Sequence, residues 1–243
     1  MNEENKMKTA LPKLRFHEFV GVWNAKKIED LIDAQSSQMA LGKLNFANSG
    51  FPVYGADGIV GFLPTFNQYN DYISIVKDGS GVGRLTLCKK ESSILSTLQY
   101  LLSKDESKYK LNWLFYLLQN VNFKEYVKGS GIPHIYYSDY KHHNVLVPEP
   151  AEQRKIAECL SSVDDLIEAV SDKVEALKEQ KKGLMQKLFP TEGKTTPEFR
   201  FPEFQNDKPW DADSSEKSEI IAYIAKSKNR CFFAKKCLNR GRK

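Results

Sequence analysis

The sequence predicts a mixed α/β (α+β) globular domain followed by a long coiled-coil helix. Three observations carry that reading. Short β-rich runs alternate with glycines between residues 12 and 148, Pro148 and Pro150 then close the region, and an unbroken heptad seam runs from Ile156 to Leu188. The first pattern belongs to strands and turns, the last to a helix that seeks a partner. A repeat frames both: Pro12, Arg15, Phe16, Glu18 and Phe19 recur at the same spacing as Pro197, Arg200, Phe201, Glu203 and Phe204, with Trp23 and Trp210 after them. The period is too long for a solenoid, so it marks the opening of a second unit. The chain therefore divides into an extension (1–11), a domain (12–148), a helix region (149–193) and the start of a second repeat with a basic tail (194–243).

Within the domain, Tyr72–Lys77, Arg84–Cys88, Ile135–Tyr137 and Asn144–Val147 read as strands. Two stretches with the helical period, Ser92–Ser103 and Leu111–Tyr126, read as amphipathic helices, their leucines and aromatics as core. Gly79-Ser80-Gly81-Val82-Gly83-Arg84 looks like a phosphate cradle, but a strand-like run follows where such a cradle needs a helix N-terminus. A hairpin turn is the better reading.

Pro150 fits a first helical position and Glu152 puts an acid in the first turn, where the helix dipole favours it. From there the apolar residues step by fours and threes. Leu160, Ile167, Val174, Lys181 and Leu188 fall at a, and Ile156, Val163, Val170, Leu177 and Leu184 at d. A helix over 151–188 measures roughly 57 Å, and its a/d stripe is narrower than a helix lying on its own domain needs. Residues 151–170 hold five acids and two bases, and 171–188 three acids and five bases. An antiparallel mate brings Lys181 near Asp164 and Asp165, whereas a parallel one sets Lys181 against itself. A homodimer through these helices is the expectation.

The net charge of +5 belongs to the tail, because residues 226–243 carry eight Lys or Arg and no acid, leaving −3 elsewhere. Residues 12–148 hold fifteen bases and twelve acids, which permits a phosphate-facing patch without demanding one. The tail suits nonspecific DNA binding or a solvated end. Cys88, Cys159, Cys231 and Cys237 show no metal-site spacing and read as reduced thiols. A polar N-terminus and the lack of a membrane-length apolar run predict a cytoplasmic protein. No HExxH, GxSxG, Asn-Pro-Pro-Tyr or helicase signature is present, so the sequence offers no catalytic constellation.

Five segments together resemble the specificity (S) subunit of type I restriction–modification systems: Pro52–Phe62, Tyr72–Arg84, Gly129–Tyr140, Val147–Ala169 and Lys181–Phe189, besides the PxxRFxEF openings. The resemblance covers nearly all of residues 12–210. It implies one DNA target-recognition domain plus one conserved spacer helix, the N-terminal half of such a subunit. Double-stranded DNA would then be the ligand. Partner modification subunits would methylate adenine with S-adenosylmethionine and restriction subunits cut with ATP, leaving this chain without catalysis or cofactor. After Trp210 the sequence departs from the family, being too short for a second recognition domain. That leaves an active half-subunit or a truncated, silent cassette; a standalone dimeric DNA-binding protein and a coiled-coil adaptor are the rival classes.

Reading DNA takes loop donors for phosphates and a few side chains for base edges. Gly129, Ser130 and Gly131 offer backbone N–H groups and a hydroxyl, Lys128 a phosphate partner, and His134 a base-edge contact. Tyr54, Lys77, Ser80 and Arg84, in two other shared segments, are further candidates.

Overall fold

The computed structural model describes residues 12–210 and the backbone of Thr9 and Ala10. The extension before Thr9, the basic tail, Cys231 and Cys237 lie outside the described residues. The chain divides into two compact units, residues 1–165 and 166–243.

The first unit is built on three sheets. β1 (Thr9–Ala10), β2 (Trp23–Lys27) and β10 (Asn144–Val147) form one, with β2 antiparallel to both neighbours. After the short helix α1 (Ile28–Leu31), a four-stranded antiparallel sheet orders β3 (Ile32–Ser36), β9 (Leu98–Ser103), β6 (Tyr72–Val76) and β7 (Leu85–Cys88). The third places β4 (Phe51–Gly55) between β5 (Gly58–Leu63) and β8 (Ser93–Ile94), parallel to the latter.

β6 explains the layering. All five of its residues are buried, as expected of a strand covered on both faces. Ile73 and Ile75 enter one core with Leu101 of β9 and with Trp113, Leu114 and Leu118 of helix α2 (Leu111–Gln119). Tyr72 and Val76 point the other way, into a second core with Val53, Ile94 and Leu98. Strand alternation sends successive residues to opposite layers, so the sheet is the partition between two cores.

Three sequence expectations change here. Ser92–Ser103 is β8, a turn and β9 rather than a helix. Leu98 and Leu102 pack on one core and Leu101 on the other, so a two-faced strand mimics helical spacing. Leu111–Tyr126 breaks after Gln119 and resumes as a 3-10 turn at Phe123–Tyr126. Ile135 N is bonded to Lys77 O and Tyr136 is extended, but Tyr137 opens a short helix α3 (Tyr137–Tyr140), so Ile135–Tyr137 is no strand. The hairpin turn at Gly79–Arg84 does connect antiparallel β6 and β7.

Pairing of β2 with β10 returns the domain's end to its beginning, and helix α4 (Pro150–Leu188) starts there. Its first turn is fastened by two buried polar residues. Glu152 receives both Arg15 Nε and Arg15 Nη2, at 2.7 and 2.6 Å. Gln153 accepts from Lys110 N at 3.0 Å and donates to Lys108 O and Pro148 O at 2.8 and 2.9 Å. Both side chains are satisfied, as burial at 1% and 0% exposure requires. Ile156 packs against the first core, so this first seam position serves its own domain. Tyr116 donates to Asp164 at 2.7 Å, which occupies one of the acids expected to face Lys181.

In the second unit the seam is open. Among Ile167, Val170, Val174, Leu177 and Leu184, exposure runs from 43% to 58%. Leu188 at the helix end is partly covered. The chain then turns back, with Phe199 N bonded to Lys187 O at 2.9 Å and Trp210 N to Thr195 O at 2.7 Å.

Candidate nucleic-acid interface

Three turns of the first unit are tied together by the main chain and by one arginine. The first is the β4–β5 turn at Ala56–Asp57, the second the β6–β7 turn at Lys77–Arg84, and the third the loop Lys128–His134. Arg84 Nη1 donates to Ala56 O at 2.9 Å and pairs with the Asp57 carboxylate, joining the first two. Gly79 N donates to Pro133 O at 2.9 Å and Ile135 N to Lys77 O at 2.9 Å, joining the last two. Lys128, Gly129, Ser130, Gly131, His134, Lys77, Ser80 and Arg84 are thus brought into one cluster.

The third turn is closed by reciprocal bonds, Lys128 N to His134 O at 2.8 Å and His134 N to Lys128 O at 2.9 Å. Gly129 makes this possible at φ +90°, where a Cβ would sit 2.6 Å from Ile132 O. The tip Gly129–Ile132 is exposed, and Ile132 stands 72% exposed to solvent. His134 is half-buried, its Nδ1 3.3 Å from Ile132 O and its ring 5.1 Å from that of Tyr136.

Lys128 is not a free cation. Its Nζ donates to Asp139 at 2.6 Å, and that bond, with the Tyr136 N–H, holds the Asp139 carboxyl below the usual carboxylate range against the opposing effect of burial. The lysine side chain is 61% exposed. The Asp139 side chain is only 12% exposed, so the lysine is the end of this pair that faces solvent. Lys77, 18% exposed with Nζ 3.7 Å from Asp78, is held much further inward. Ser80 and Arg84 are exposed and border a recess of about 500 Å³ shared with Asn122 and Lys124.

Tyr54 stands apart. Its ring belongs to the second core, and burial raises the phenol pKa, with smaller contributions from Cys88 and Asp71. That places its hydroxyl toward the end of β7 opposite Arg84.

Sequence reasoning missed Tyr136, 47% exposed beside His134, and Asp139, which pairs with the lysine. It also missed the Arg15–Glu152 clamp. Recurrence of Arg15 at Arg200 was the available signal, but an acid in a helix's first turn already had a local explanation in the dipole.

The family described as Type I restriction modification DNA specificity domain matches residues 21–179. The chain belongs to that family.

This specificity domain is 36% identical over 122 residues to the type I restriction enzyme MjaVIII specificity subunit of Methanocaldococcus jannaschii, covering 48% of this chain and 28% of that protein. It is 24% identical over 193 residues to the putative MjaX specificity subunit of the same organism, covering 69% and 45%. The chain thus spans less than half the length of these curated relatives. The crystal structure of a type I S subunit from M. genitalium shares the fold with a TM-score of 0.62 at 23% identity, over 74% of this chain and 49% of that one. The family's description assigns domains of this kind to DNA specificity in type I restriction–modification. Among the described residues no helix is long and apolar enough to cross a membrane.

Proposed function

We propose that this chain acts as a specificity half-subunit: its domain reads one half-site in duplex DNA, and its long helix pairs antiparallel with a second specificity helix as a spacer. The observation that carries the reading is the fastening of the Lys128–His134 loop to the Lys77–Arg84 turn through Gly79 N and Ile135 N. That bonding presents donors from two segments on one rigid support, as phosphate positioning and base readout require. Lys128 and the Gly129–Gly131 amides contact phosphate, and His134 reads a base edge. The open seam from Val163 to Leu184 supports pairing with a second copy of the chain.

The partner modification subunits methylate adenine with S-adenosylmethionine, and restriction subunits cleave with ATP; this chain directs them. A methylation assay with modification subunits tests the proposal. Adenine methylation must depend on adding this chain, and methylation mapping must return one fixed target. Methylation that persists without the chain, or none with it, would overturn the reading.

A further inference from the structure

The repeated motif occurs in two states. In its first copy the main chain turns with Phe19 N on Phe16 O at 3.2 Å, and two side chains meet the start of α4. Arg15 grips both oxygens of Glu152, and Lys155 Nζ lies 5.7 Å from the centre of the Phe16 ring. Glu152 and Lys155, three apart, share one helix face. The first copy is therefore a socket for Glu-x-x-Lys in a helix's opening turns. Arg15 also donates to Gly21 O, which braces the guanidinium from within the motif.

The second copy has the same turn, Phe204 N on Phe201 O at 2.9 Å. Its arginine is braced likewise: Arg200 donates to the carbonyl oxygens of Phe204, Asp207 and Lys208 at 3.3, 2.7 and 3.0 Å. Among the described residues no carboxylate meets it. Phe16, Phe19 and Trp23 are partly covered, but Phe201, Phe204 and Trp210 are 41–51% exposed. Among the described residues, one socket is filled and the other is not.

We propose that residues 197–210 are a docking face for the first turn of another specificity helix, with Arg200 taking its glutamate in two-bond geometry and Phe201 lying under the base three residues on. The inference rests on the family reading and deepens it by specifying a partner. Glu152 of this chain is excluded as the occupant, since it is 1% exposed and both its oxygens are held by Arg15. A second copy with its own clamp closed is excluded for the same reason, so a homodimer leaves this face uncovered. The occupant is a complementary specificity chain whose helix-start glutamate has no arginine of its own.

An Arg15→Gln chain supplies such a glutamate while leaving residues 197–210 unchanged, and sedimentation measures its association with the unmodified chain. It should associate at least about tenfold more tightly than the unmodified chain does with itself, because a bidentate charge-assisted pair is gained. Arg200→Gln in the partner, or Glu152→Gln added to the Arg15→Gln chain, should remove the gain. A synthetic helix-start peptide, residues 148–166, gives the same test should Arg15→Gln fail to fold: it should bind the unmodified chain, and its Glu152→Gln form about tenfold more weakly. Association that does not depend on Arg200 in either assay overturns the proposal. Neither assay contains DNA, so loss of DNA recognition refutes the half-site reading and leaves the docking result standing.

Discussion

At the scale of single residues, the candidate interface depends on Lys128 and Gly129 in different ways. The Lys128–Asp139 bond lowers the folded-state pKa of Asp139, so its contribution to stability is present above the ordinary aspartate value and lost as pH falls through the lowered one. Lys128→Ala should move the Asp139 titration back up, which carboxyl NMR reads directly. The same variant should weaken binding to all DNA sequences and reduce the salt slope by roughly one unit. His134→Ala should instead relax sequence preference, by on the order of 1–3 kcal/mol on the preferred half-site. Equal losses on preferred and random DNA for both variants contradict these roles. Gly129→Ala forces a Cβ against Ile132 O and should impair DNA binding with little change in the unfolding transition, because the loop lies outside both cores.

At the scale of elements, β9 and α4 behave oppositely. β9 is held in the middle of a sheet, and Leu101 at 0% exposure contacts the first core. Leu101→Ala should cost about 2–5 kcal/mol, measured by urea unfolding of the domain. The middle of α4 contributes nothing to that core. Val170→Lys with Val174→Lys should leave the domain's unfolding unchanged and abolish self-association. A monomeric unmodified protein at micromolar concentration in sedimentation would remove the basis for the homodimer. The start of α4 differs again, since Glu152 and Gln153 are buried and bonded to segments far away in sequence. α4 is thus fastened at its first turns while its seam from Ile167 to Leu184 stays open.

At the scale of the whole molecule, symmetry of assembly dictates symmetry of the target. Two copies about a two-fold axis would select an interrupted palindrome, as dimeric DNA readers do. A complementary chain docked at Arg200 would give an asymmetric split site. Methylation mapping separates the two. Deleting one heptad, residues 167–173, shortens the helix by about 10 Å and should change the spacer while leaving the half-site sequences alone.

The sequence by itself determined the family, the α/β domain followed by a helix, the heptad seam and the Gly79–Arg84 hairpin turn. These are local or periodic: glycine spacing, proline stops and a three-four step survive without knowledge of neighbours. Tertiary structure decided that Leu98, Leu101 and Leu102 belong to a strand, because only a sheet covered on both faces gives that spacing two opposite destinations. It also decided that Lys128 is paired, that Tyr54 faces a core, and that Arg15 holds a glutamate 137 residues away. Those facts depend on which segments meet in the fold, β4 with β8 around Tyr54, Lys128 with His134 beside Asp139, and β2 with β10 around Arg15, and such meetings leave no period in the sequence for a reader to find.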